Sequence, residues 1–98
     1  MPYATLLTEG EIAGGLAGIQ LWRREGDSIV RSIRCPSFPD AIALVNRVAD
    51  AAEASNHHPD IDVRWRTVTF TLSTHASGGL TAKDLEMAGA IDRLAEHG

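Results

Sequence analysis

The chain has 98 residues, 44% hydrophobic and 22% charged, with a net charge of -4 and a single cysteine. That length suits one domain with a modest core, expected to span residues 1–98. The acidic balance argues against a sequence-independent hold on nucleic acid, no apolar run reaches membrane-spanning length, and Cys35 alone closes no intramolecular disulfide.

Met1–Glu11 is acidic and capped rather than basic and apolar, so it does not read as a signal peptide, and the expected location is the cytoplasm. A first helix is expected over about 8–17, where Thr8 and Glu11 have the spacing of a capping box. Gly10, Gly14 and Gly15 weaken it. Two strands follow, Ile19–Arg24 and Ile29–Cys35, flanking Glu25-Gly26-Asp27-Ser28 as a hairpin loop. Ser37 and Asp40 then open a second helix, about 38–55. Phe38, Ile42, Val45, Val48, Ala49 and Ala52 recur in it at helical spacing as one apolar stripe. The helix should stop near Asn56, because Pro59 drives His58 out of the α region. Ile61–Trp65 and Val68–Thr74 form a second pair of strands. Thr81 with Asp84 opens a third helix, about 82–96, with Leu85, Ala88, Ile91 and Leu94 on one face. The order α-β-β-α-β-β-α predicts an α+β fold: a four-stranded antiparallel sheet with helices packed on one face.

A two-residue loop at Arg66-Thr67 sets Trp65 opposite Val68, Val63 opposite Phe70 and Ile61 opposite Leu72, all on one apolar face. Trp65 is then a core residue. The other face takes Arg64 with Thr69, Asp62 with Thr71 and Asp60 with Ser73. Extended further, this register makes His58 and His75 cross-strand neighbours, about 5 Å apart at Cβ. His57 stands next door, so three imidazoles converge at one end of the sheet.

Imidazole titrates near neutrality, and two rings held close together resist double protonation, which leaves a base beside an acid. Metal binding is the weaker reading, since adjacent His57 and His58 diverge in extended backbone and joint ligation with His75 needs a twist. His97 reads as an exposed tail residue. Glu53, one helical turn before His57, is either a solvated carboxylate near a helix C-terminus or an anion that orients an imidazole. Asp84 completes a cap with Thr81 and also stands beside Gly78-Gly79. Those two glycines lead into a helix N-terminus that can offer amide hydrogens, although a tight connection explains them equally well.

Glu53, His57-His58-Pro59, Trp65, His75 and Asp84 together reproduce a known spacing. Leu72-Ser73-Thr74-His75, Gly79-Leu80-Thr81 and Asp84-Leu85 extend the likeness, and Glu11-Ile12, Leu16, Trp22, Arg31 and Phe38 carry it upstream. On these residues the chain resembles the pterin-4a-carbinolamine dehydratase family, over about residues 6–95. In animals that family also serves as a dimerisation cofactor for a homeodomain transcription factor. Ile33 and Cys35 depart from it, on a strand where relatives often carry aromatics, which bears on packing or assembly.

The resemblance implies dehydration of a 4a-hydroxy-tetrahydropterin to quinonoid dihydropterin, with no metal, no cofactor and no covalent intermediate. It implies His57, His58 and His75 as the acid–base set, and Glu53, Pro59, Ser77, Gly78 and Asp84 as substrate-binding residues. It further implies a reduced pterin substrate, service to an aromatic amino acid hydroxylase pathway, and a homodimer or homotetramer. Two other roles share the scaffold: a binding or assembly module for a partner protein, and pterin handling in molybdenum cofactor metabolism.

Overall fold

The computed structural model describes residues 4–96, so His97 and the first three residues lie outside it. Helix α1 (Glu9–Ala17) starts in a complete capping box. The Glu11 amide donates to Thr8 Oγ1 at 3.1 Å, and the Thr8 amide donates to Glu11 Oε1 at 2.8 Å. Gly15 has a packing role beyond its helix penalty. A Cβ there would lie 2.4 Å from Leu85 Cδ1, so the missing side chain lets α1 press against Leu85.

Strand β1 (Arg23–Glu25) pairs with β2 (Ser28–Arg34) around a turn with Gly26 at φ 60. The expected first strand is thus shortened to its C-terminal end. The amides of Gly18, Ile19 and Trp22 donate to the carbonyls of Gly15, Leu16 and Ile19, so turns at the end of α1 consume the residues before Arg23.

Helix α2 (Phe38–Ser55) is capped by Ser37, whose hydroxyl accepts from the Asp40 amide. It ends on Asn56 in the left-handed region, φ 52. Its apolar stripe is rotated from the expected one. Ala41, Leu44, Val48 and Ala52 are buried, whereas Phe38, Ile42 and Ala49 are exposed. Periodicity alone left two overlapping stripes, and packing against the sheet and the last helix chose between them.

Strands β3 (Asp60–Arg64) and β4 (Thr67–Leu72) form the second hairpin, and the antiparallel sheet runs β1-β2-β4-β3. The register differs by two residues from the expected one: Arg64 faces Thr67, Val63 faces Val68 and Ile61 faces Phe70. A two-residue slip keeps every side chain on its face, so apolar matching could not detect it. The loop is therefore Trp65-Arg66, and Trp65 is a turn residue at φ 56, 77% exposed, not core.

After β4 comes a single 3-10 turn, His75–Ser77, absent from the sequence reading, and then α3 (Ala82–Glu96). Ile29, Val68, Phe70 and Leu72 of the sheet, Leu44 and Val48 of α2, and Ala88 and Ile91 of α3 form the core. Asp92 of α3 accepts from Trp22 Nε1 at 2.8 Å and pairs with Arg31, fastening the last helix over β1 and β2. No helix among the described residues is long and apolar enough to cross a membrane.

Candidate active site

β3 begins and β4 ends at the same end of the sheet, so the segments around His57-His58 and His75 meet there. The left-handed Asn56 reverses the chain out of α2, and the His57 amide donates back to the Ala52 carbonyl at 3.1 Å. This turn folds the His57 ring inward: the residue is 9% exposed, and its Nε2 lies 2.6 Å from Asp84 Oδ1.

Asp84 is fully buried and saturated by its own chain. Its Oδ2 accepts from the Thr81 amide at 2.9 Å and from Thr74 Oγ1 at 2.8 Å. With its proton committed to the carboxylate, Thr74 Oγ1 accepts from Thr81 Oγ1 at 2.8 Å. A carboxylate that accepts from all these partners fixes the His57 tautomer, with the proton on Nε2. Nδ1 is then the ring atom available to gain or lose a proton.

His58 is arranged differently. Its Nε2 lies 2.5 Å from Glu53 Oε2, and both side chains are exposed, 53% and 79%. Of the two readings for Glu53, the contact fits the one in which it meets an imidazole, and the ring is that of His58. His75 is exposed at the start of the 3-10 turn, next to Thr74. The cross-strand pairing of His58 with His75 does not form, because the ladder begins at Asp60↔Thr71. Extended on this register it would set His58 across from Ser73. What links His57 to the His75 segment is instead the chain of bonds through Asp84 and Thr74.

Ser77 Oγ donates to the Ala4 carbonyl at 2.6 Å. The Gly78 amide donates to the Thr74 and His75 carbonyls and the Gly79 amide to Thr74, so these amides stabilise the turn. Gly78 sits at φ 80, where a side chain would be strained. Pro59 is half-buried between His58 and β3.

A cleft of about 210 Å³ opens between α2 and α3, lined by Ala51, Ser55, His57, Lys83, Met87 and neighbouring residues. Among the described residues no three His, Cys, Asp or Glu side chains are grouped to hold a metal ion. Sequence reasoning gave Thr74 and Lys83 no role, although Leu72-Ser73-Thr74-His75 is one of the segments that carry the family likeness.

The sequence model of the family described as pterin 4 alpha carbinolamine dehydratase matches residues 5–94. The chain belongs to the pterin-4a-carbinolamine dehydratase family. A relative in Nocardia farcinica, assigned as such a dehydratase, is 59% identical over 90 residues, covering 92% of this chain and 95% of its own. One from Roseiflexus castenholzii, assigned likewise, is 52% identical over 91 residues, covering 93% and 98%. Among solved structures, a transcriptional coactivator/pterin dehydratase from Brucella melitensis superposes with a TM-score of 0.89 at 30% identity, covering 93% of this chain and 99% of that one. A pterin dehydratase-like RuBisCO assembly factor of the alpha-carboxysome shares the fold, with a TM-score of 0.65 at 23% identity, over 76% of this chain and 88% of that one.

Proposed function

We propose that this family member dehydrates a 4a-hydroxy-tetrahydropterin to the quinonoid dihydropterin. The observation that carries the reading is the buried His57–Asp84 pair, set at the same end of the sheet as His58–Glu53 and His75. In the reaction the N5 lone pair expels the C4a hydroxyl, forming a C4a=N5 double bond. An acid protonates the departing oxygen to give water, and a base removes the N5 proton. The balance needs no oxidant or reductant. Each well-placed imidazole contributes roughly 10²–10⁴-fold, enough for a step that nitrogen already drives.

The His57, His58 and His75 set supplies the acid and the base. Glu53 orients His58, while Pro59, Ser77, Gly78 and Asp84 shape the place where the pterin sits. The setting we infer is cytoplasmic recycling of a tetrahydrobiopterin-type cofactor for an aromatic amino acid hydroxylase, by a homo-oligomer. The test is loss of absorbance of freshly generated 4a-carbinolamine with and without protein. Wild type should accelerate it, and folded His75→Ala should lose most of the acceleration. Unchanged turnover in that variant refutes the assignment.

A second reading, an assembly or binding module, draws on the fold neighbour that is a RuBisCO assembly factor. The histidine–carboxylate pairs favour the enzyme, because a docking surface does not require them. Stoichiometric recovery of a partner, together with no dehydration, would favour the module.

A further inference from the structure

Lys83 is the only lysine in the chain, and it lines the cleft between α2 and α3 that His57 also lines. Helical spacing builds this cleft. Ala51 and Ser55 stand one turn apart on α2, while Lys83, Glu86, Met87 and Ala90 recur at steps of three and four on α3. Each set is therefore a single stripe. Ala51 and Ala90 are small enough to leave a gap where the stripes meet, and Met87 is a buried wall of it. Lys83 and Glu86 are exposed. They lie three residues apart, yet among the described residues neither forms an ion pair. An ammonium and a carboxylate are both available to a ligand.

The cleft holds about 210 Å³, less than the roughly 300–1,000 Å³ of sites that enclose a whole drug-sized molecule. It suits one arm of a ligand whose remainder is held elsewhere. A pterin has such an arm in the required place. His57 Nε2 is turned onto the buried Asp84, so other atoms of the ring meet the cleft. In a pterin the variable substituent sits on C6, which is bonded to N5, and N5 is bonded to C4a. An imidazole that acts at N5, or at the hydroxyl on C4a, stands beside the start of that substituent.

The lining defines what the arm is made of. A hydroxyl group donates to the Glu86 carboxylate and accepts from the Lys83 ammonium. Ser55 Oγ spends its proton on the Ala51 carbonyl at 3.0 Å, so it accepts from a further hydroxyl. A short carbon stem packs on Met87, Ala51 and Ala90. An anionic end would meet Glu86 as well as Lys83, and a purely apolar arm would take water from both charges without replacing it.

We propose that the α2–α3 cleft holds a hydroxylated alkyl substituent on C6 of the pterin, with Lys83 and Glu86 as specificity-determining residues. This rests on the proposed dehydratase function and deepens it by naming the substrate class.

The test compares dehydration of two freshly generated 4a-carbinolamines, one with a 6-methyl group and one with a 6-dihydroxypropyl chain. Wild type should favour the dihydroxypropyl substrate by about tenfold or more in kcat/KM, the low end for hydrogen bonds to charged groups. Lys83→Met should lower that preference by about tenfold, through KM rather than kcat, as loss of binding shared by ground and transition states does. Ala51→Leu, a helix-compatible change that fills the gap, should lower it too. A preference unmoved in either variant, or a loss that falls equally on both substrates, overturns the site. Wild type that turns over both substrates with equal kcat/KM also overturns it while leaving the dehydratase reading intact. Wild type that accelerates neither sinks that reading itself.

Discussion

Two histidine–carboxylate pairs of nearly equal length stand at the same end of this sheet: His57–Asp84 at 2.6 Å and His58–Glu53 at 2.5 Å. Distance does not distinguish them, but surroundings do. Asp84 is fully buried and tied to the backbone and to two hydroxyl-bearing threonines, one directly and one through the other. Glu53 is open to water and joined by a long side chain to α2. Burial makes the first pair rigid and costly to break, whereas solvent screening leaves the second soft. One pair is built into the fold and the other is placed on it.

The largest test of that contrast is Asp84→Ala. It strands the His57 ring, the Thr81 amide and the Thr74 hydroxyl, and should cost about 3–5 kcal/mol in urea unfolding, as removal of one partner from a buried charged network does. An unfolding midpoint close to wild type would contradict the central place given to this carboxylate. Thr74→Val removes one hydrogen bond to a charged group and should cost about 1.5–3 kcal/mol by the same measurement. Its effect should shrink in the Asp84→Ala background, because the two residues share one network.

Glu53→Gln should move stability by about 0–1 kcal/mol, as expected for an exposed pair. Its signature is kinetic. Activity should fall, and the gap from wild type should narrow in 1 M salt, where charges are screened within about 3 Å. A gap that persists at high salt would mean that the pair is sequestered from solvent. The smallest effect concerns Cys35, whose thiol is pushed up by burial and, secondarily, by Asp40. Disulfide-exchange reagents should label it slowly at pH 7 in native protein and quickly in urea. Equal rates in both states would place Cys35 on the surface.

Much of this was legible in the residues. Thr8 with Glu11 and Ser37 with Asp40 marked the caps of the first two helices, because capping is a contact between side chains and amides three positions apart. The pairing of Thr81 with Asp84 was visible for the same reason. The family was readable from the spacing of Glu53, His57-His58-Pro59, Trp65, His75 and Asp84. What escaped was long-range. The two-residue register shift left every apolar match intact and so moved Trp65 from core to turn unseen. The rotated face of α2, with Phe38 and Ile42 outward, depends on neighbours distant in sequence.

Chain chemistry on its own therefore determined the α-β-β-α-β-β-α order, the helix starts, and which side chains could carry protons. These follow from interactions within about a helical turn or from the two-fold alternation of a strand. Tertiary packing alone decided which imidazole met which carboxylate, since burial and register arise only where remote segments exclude water together. His57 reached Asp84 because α2 ends against the first turn of α3, a meeting that no local spacing encodes.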